Sequence, residues 1–241
     1  MRTRDVMLLI ALSALVSVLG WAEVLTTFTE NFEGTLQDVY CRSGSGNEIV
    51  AAGGNPGAFL HNPAAVTPLP VLATVSPVPW IFTGDFRILG VTDLGIDVNV
   101  FAVSGEAGDR PVSLGLIRYG GTGDPADDCD LLLPGKEIPR PGSGWKSYNF
   151  RVPAWKPAMP AHWSAYGACA SWPRDTAWYQ VMQRVSEARF YIGDPRASYS
   201  TESWDIGFDN ARVTRGKSDA GPTFAIGEPA VPVSALPGPT D

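Results

Sequence analysis

Several things are scarce in this 241-residue chain, and each scarcity removes a class of protein. Only two histidines occur, His61 and His162, so any histidine-based catalytic triad must use one of them. There is no Gly-x-Ser-x-Gly turn to present a serine nucleophile; Gly44-Ser45-Gly46 and Gly142-Ser143-Gly144 read as flexible turns. The three cysteines, Cys41, Cys129 and Cys169, form no Cys-x-x-Cys unit, which argues against a zinc knuckle. Basic residues are outnumbered, Lys+Arg 18 against Asp+Glu 25 for a net charge of −7, so a phosphate-binding face and with it a nucleic-acid partner are not expected. Long uninterrupted helices are also excluded, because 26 glycines and 21 prolines punctuate the chain. Hydrophobic residues still make up 44%, which suits a globular core rather than disorder.

The longest apolar run is Val6 to Leu19, broken only by Ser13 and Ser17 and preceded by Arg2 and Arg4. It falls short of the roughly twenty residues that cross a bilayer and matches the core of a secretory signal peptide. Gly20-Trp21-Ala22 places small residues where a signal peptidase reads, so residues 1–22 are assigned as signal peptide with cleavage after Ala22; the alternative is an uncleaved N-terminal anchor. The expected location is therefore secreted, periplasmic or extracellular, with no membrane span in the mature chain. In an oxidising compartment two of the three cysteines pair, and the shared Gly/Pro/Asp-rich setting of Cys129 and Cys169 favours those two.

Short apolar or alternating segments follow at close spacing: 25–32, 58–61, 80–82, 86–91, 96–102, 112–119, 131–133, 146–152, 188–192 and 206–213. Gly or Pro separates most of them, which predicts an all-β antiparallel sandwich or barrel. Residues 62–79, with five prolines, read as an extended loop. Residues 153–178 read as a long Trp/Pro-rich loop closed by a short helix near 178–185. The segment 215–241 is Gly/Pro-rich without periodicity and is expected to be a disordered tail, leaving 25–214 as the folded domain.

Four motifs then stand in a familiar order: Asn31-Phe32-Glu33-Gly34, Gly53-Gly54-Asn55-Pro56-Gly57, Phe82-Thr83-Gly84-Asp85-Phe86-Arg87 with Leu94-Gly95-Ile96-Asp97, and Trp204-Asp205-Ile206-Gly207-Phe208-Asp209-Asn210-Ala211-Arg212-Val213. Arranged this way, the chain resembles the laminin-B-type (laminin domain IV-like) jelly rolls of secreted proteins, distant relatives of galactose-binding-type carbohydrate-binding modules. The resemblance implies a jelly-roll β-sandwich whose first and last strands are neighbours. It also implies one structural calcium ion, for which only Glu33 and Asp209 match the family's positions. Ca²⁺ takes six to eight oxygens, which two carboxylates with carbonyls and water could supply.

Three further groups were weighed for chemistry. Glu202 and Asp205 are the carboxylate pair that a secreted glycan hydrolase would use, although the dense acidic strand signature of laminarinase-like enzymes is missing. Asp124, Asp127, Asp128 and Asp130 crowd one loop and read as a solvated acidic turn, since the calcium-hand spacing is absent. Trp155, Trp163 and Trp172 lie in loop sequence and could either stack on sugar rings or anchor the loop, whereas Trp145 and Trp204 read as core. The combined expectation is a secreted, non-catalytic binding or structural module for carbohydrate or surface polymer. The alternatives are that hydrolase, or a protein-interaction domain of a surface assembly.

Overall fold

The computed structural model describes residues 25–33, 39–41, 46–74, 81–105 and 110–216. The expected signal peptide at 1–22 lies outside the described residues, as does the expected tail except for Arg215 and Gly216. Among the described residues no helix is long and apolar enough to cross a membrane.

Among the described residues, twelve antiparallel strands form two six-stranded sheets of a jelly-roll β-sandwich. The first sheet contains β1 (Thr26–Glu30), β3 (Glu48–Gly54), β4 (Gly57–Thr67), β6 (Val91–Val103), β9 (Lys146–Arg151) and β12 (Glu202–Arg215), in the order β3-β4-β12-β6-β9. The second runs β10 (Ser164–Gly167), β8 (Cys129–Glu137), β7 (Pro111–Arg118), β11 (Glu187–Ile192), β5 (Val71–Thr74), β2 (Val39–Cys41). Strand β12 organises the first sheet. One of its edges pairs with β6, and the other pairs first with β4, through Glu202 to Phe208, and then with β1, through Ala211 to Arg215. The first and last strands are thus neighbours, as the resemblance implies.

Alternation along the strands decides what lies inside. Ile96, Val98 and Val100 of β6 meet Leu114 and Leu116 of β7, Phe190 and Ile192 of β11, and Trp204, Ile206 and Phe208 of β12 in one core. Residues between them point to the two outer faces, because strand side chains alternate with period two.

The structure corrects several sequence-based boundaries. β4 continues through Pro63 to Thr67 and β5 follows, so 62–79 is not one extended loop; Pro63 pairs with no residue of β12, whose register is irregular between Trp204 and Ile206. Residues 86–90 form turns rather than a strand: Asp85 Oδ1 accepts the N–H groups of Arg87 and Ile88 at 3.0 Å each, giving the chain a local alternative to a ladder. The helix α1 spans Arg174–Met182, four residues earlier than expected at its start, and β10 interrupts the long loop.

That loop is held from inside. Trp163 is 2% exposed and meets Trp178 of α1 edge-on, ring centres 5.2 Å apart. Trp178 donates to the Lys156 carbonyl at 3.0 Å, and Asp175 accepts from the Met159 N–H at 2.9 Å. A disulfide joins Cys129 on β8 to Cys169, closing a separation of 40 residues, as the loop settings of the two cysteines favoured. Closing a loop of that size contributes roughly 3–4 kcal/mol in the chain-entropy account. Reduction under native conditions should therefore lower the melting temperature by several degrees, and replacing both cysteines by alanine should remove that sensitivity.

Candidate functional site

The outer face of the second sheet carries side chains that a solvated surface does not require. On β11, Glu187, Arg189 and Tyr191 alternate with the core residues Ala188, Phe190 and Ile192. Cross-strand pairing sets these beside β7, with Glu187 opposite Ile117 and Arg189 opposite Gly115. Ile117 pairs in turn with Asp130 of β8, which pairs with Tyr166 of β10. One row across the sheet therefore reads Tyr166, Asp130, Ile117, Glu187. The next row holds Arg189 over Gly115, where a Cβ would come within 2.7 Å of the Tyr191 ring. The missing side chain leaves room for the Tyr191 ring.

The polar groups on this face hold one another. Glu187 is 1% exposed and receives two hydrogen bonds from Arg189, Nε to Oε1 at 2.9 Å and Nη2 to Oε2 at 2.8 Å. Tyr119, just beyond β7, donates to Glu187 Oε2, and Arg189 Nη1 lies 3.5 Å from the Tyr191 hydroxyl. Burial alone would lower the Arg189 pKa, but the Glu187 hydrogen bonds and charge outweigh it and raise the pKa. With Glu187 so engaged, Asp130 and Asp128 are the carboxylates that line the open space. Burial pushes the Asp130 carboxyl up to about 6, against the opposing pull of Arg189 and a hydrogen bond with Tyr166. Its Oδ1 is buried with no hydrogen-bond partner. Burial also raises the Tyr166 hydroxyl, helped by Tyr191 and Asp130, so that group stays a donor.

Tyr119, Gly121, Gly123, Pro125, Asp128 and Asp130 with Arg189 enclose a cleft of about 490 Å³ here. The rest of the acidic loop behaves as a turn. Asp124 accepts from the Ala126 N–H, Asp128 from the Gly120 N–H, and Asp127 from the Thr122 hydroxyl. Sequence reasoning grouped Asp130 with these three and missed it; the signal was its position one residue into β8.

Glu33 and Asp209 converge on the Gly54–Gly57 turn. Glu33 Oε1 accepts the Ala58 N–H at 3.1 Å, and Asp209 Oδ2 accepts the Asn55 N–H at 2.5 Å. A Cβ on Gly57 would fall 1.7 Å from Glu33 Oε1 and one on Gly54 2.7 Å from Asp209 Oδ2, so both glycines are needed for the approach. The residues beside the carboxylates, Phe32 at φ 57° and Asn210 at φ 47°, both hold left-handed backbone, a local strain that marks special sites. Asp97 nearby is neutralised. Its pKa is lowered against the effect of burial by hydrogen bonds from Ser147, Asn210 and Arg212 and by the Arg212 charge. Asp209 receives the backbone N–H groups of Asn55 and Asn210 and no cationic side chain. Burial raises its pKa, with smaller contributions from Asp97 and Glu33. Two carboxylates with no cation between them fit a hard-cation donor set in kind. Among the described residues, however, no group of three or more His, Cys, Asp or Glu is placed to hold a metal. The remaining oxygens would have to be carbonyls and water.

The three loop tryptophans are not gathered into one platform. Trp163 is buried at 2% exposure, since a loop this long needs an apolar anchor, and only its edge reaches the floor of a neighbouring cavity. Trp155 is half-buried beside a second cavity, and Trp172 is 36% exposed without lining that cavity. Trp145, expected in the core, lies half-buried on the outer face of the first sheet. Its ring meets Phe59 and Phe101 edge-on, and its Nε1 donates to the Gly53 carbonyl at 2.8 Å. Glu202 and Asp205 are each engaged elsewhere, Glu202 by Ser104 and Ser200 and Asp205 by His61 at 2.7 Å. Those serine hydrogen bonds lower the Glu202 pKa, the reverse of what a general acid requires.

The fold is a jelly-roll β-sandwich with a polar cleft on the outer face of its second sheet. No protein-family model and no curated protein matches the chain. Similar solved structures include the family 11 carbohydrate-binding module of the cellulosomal cellulase Lic26A-Cel5E of Clostridium thermocellum, 12% identical, covering 80% of this chain and 96% of that one with a TM-score of 0.49. The L4b domain of human laminin alpha-2 is also 12% identical, covering 80% and 97% with a TM-score of 0.43. TmCBM27, a carbohydrate-binding module with specific mannan recognition, is 14% identical, covering 81% and 99% with a TM-score of 0.38.

The raised Asp130 pKa gives a stability prediction. A carboxyl at about 6 in the fold, against 3.8 ordinarily, costs stability in full above pH 6 and nothing below about pH 4, where both states are protonated. Asp130→Asn should therefore stabilise the free protein at pH 7, by at most about 3 kcal/mol. Thermal melts across pH should show that advantage shrinking as pH falls through 6 towards 4; a destabilised variant at pH 7 would contradict the assignment.

Proposed function

We propose that the protein is an exported, non-catalytic carbohydrate-binding module whose ligand lies on the outer face of the second sheet. The observation that carries the reading is Asp130, a carboxylate hydrogen-bonded to Tyr166 that lines the cleft with Arg189 and Tyr119 and whose buried Oδ1 has no partner. Paired sugar hydroxyls donate to such an oxygen and accept from a guanidinium, while tyrosine faces cover the apolar side of a ring. An unpartnered buried acceptor is costly until a ligand supplies the donor. Both oxygens of Glu187 are already occupied and Asp128 Oδ1 accepts from the Gly120 N–H, which leaves Asp130 as the cleft carboxylate with a buried, unpartnered oxygen. Export is supported by the apolar N-terminal run and by the disulfide, which belongs in an oxidising compartment.

Calorimetric titration against neutral oligosaccharides of about four sugars should find a ligand that Tyr166→Ala weakens at least about tenfold, the loss of roughly one good stacking contact. No reducing ends should be released on prolonged incubation. Release of reducing ends, or binding indifferent to Tyr166, would sink the reading.

The structural calcium ion belongs to the same proposal, with Glu33 and Asp209 as the protein carboxylates. When bound, calcium would supply the positive charge that the two carboxylates lack, fixing β1 against the β3–β4 turn. An ion held only by the folded state adds roughly 2.7 kcal/mol at a hundredfold excess over Kd. Chelation should lower the melting temperature, and Asp209→Ala should no longer respond to calcium. An unchanged wild-type melt on chelation would remove the site.

A further inference from the structure

Where the chain leaves β9 and crosses to β10, a cavity of about 600 Å³ opens at the seam between the sheets. Trp155 forms one wall, Met159 and the buried Trp163 form the apolar floor, and Arg151, Lys156 and His162 stand around it. A second cavity of about 380 Å³ shares Arg151 and His162 with the first and adds Lys136 and Asn149. No Asp or Glu lines either cavity. In a chain with seven more acidic than basic residues this is a local reversal of charge. Arg151 is 59% exposed; its Nη1 holds Asp93 at 2.8 Å, and its guanidinium lies 5.6 Å from the centre of the Trp155 ring. The groove therefore combines a half-buried indole, an apolar floor and the cationic side chains of Arg151 and Lys156. The first cleft has the opposite character, with Asp128 and Asp130 at its wall.

We infer that this seam is a second glycan site, selective for a sugar ring that carries an anionic group. The ring packs on Trp155, and its charge faces Arg151 and Lys156, with Lys136 available to the next anionic unit along the chain. Neutral sugars gain only the stacking contact there. Anionic sugars are disfavoured at the other cleft, where their charge would meet Asp130. The inference rests on the reading of the protein as a glycan-binding module, but it uses different residues and a different ligand charge.

The probes are tetragalacturonate, a sulfated oligosaccharide of the same length, and the neutral cellotetraose, titrated into wild type, Lys156→Glu, Trp155→Ala and Tyr166→Ala. Tetragalacturonate should bind wild type and weaken about tenfold in Lys156→Glu, equivalent to about 1.4 kcal/mol. It should also weaken in Trp155→Ala and as salt rises from about 0.05 M to about 0.5 M, since exposed charges are screened over a few ångströms at high salt. It should keep its affinity in Tyr166→Ala. Because Lys156 is exposed, its reversal tests the site even where Trp155→Ala disturbs the loop. Preference for the sulfated probe, with the same response to Lys156→Glu, supports the seam and names sulfate as the anion. Absence of binding by both anionic probes overturns the inference. So does equal binding of cellotetraose at the seam, or tetragalacturonate binding that survives Lys156→Glu and vanishes in Tyr166→Ala. Failure of the first cleft alone appears differently, as no Tyr166-dependent binding of any neutral glycan.

Discussion

A carboxylate that is 1% exposed cannot stand alone, and Glu187 does not. Its forked pairing with Arg189, completed by the Tyr119 hydroxyl, fixes a guanidinium across the outer face of the second sheet above Gly115. The rest of the face follows from that pair. Arg189 shares its field with Asp130 but leaves Asp130 Oδ1 without a partner, so one row of the sheet carries a fully engaged carboxylate and, across Ile117, one with an unsatisfied oxygen. A protein selected only for stability gains by filling such a position with an apolar side chain. Retaining it makes sense where a ligand completes the hydrogen bonds.

The sandwich supplies the rigidity this requires. Asp130 on β8 and Arg189 on β11 are set by strands whose inward residues pack into the shared core, while the 119–128 connection between β7 and β8 supplies the rest of the cleft wall. The opposite outer face is built differently. There Phe59, His61, Phe101 and Trp145 turn their ring edges to one another, His61 lies between Glu48 and Asp205, and Phe59 is only 4% exposed. Rings that satisfy one another leave little face for a ligand.

Much of the architecture was legible in the sequence, and the reasons are local. Gly53-Gly54-Asn55-Pro56-Gly57 announced a turn, and its two close-approach glycines are what let Glu33 and Asp209 meet at one place. The cysteines at 129 and 169 were separable from Cys41 by their surroundings. The cleft was not legible, because its 119–128 wall reads as an ordinary solvated turn and its strand residues, Asp130 on β8 and Arg189 on β11, are single outward positions far apart in sequence. In Ala188–Ile192 the alternation that predicted a strand also hid its purpose, since an Arg and a Tyr on an outer face look like ordinary solvated residues. In Leu114-Gly115-Leu116-Ile117 the glycine broke no pattern, yet it leaves room for the Tyr191 ring. The tryptophans drew attention to 153–178 for the opposite reason. They are conspicuous in sequence, but Trp163 spends its surface anchoring the loop to Trp178.

The central claim is one of place: a neutral glycan lies across the outer face of the second sheet. Backbone amide shifts followed by NMR during titration with a binding oligosaccharide test it most directly. The account predicts that the largest changes fall at Gly115, Tyr119, Asp130, Tyr166 and Arg189, with the first sheet nearly silent. Changes centred on Phe59, Phe101 and Trp145 instead, with Asp130 and Arg189 unmoved, would contradict it.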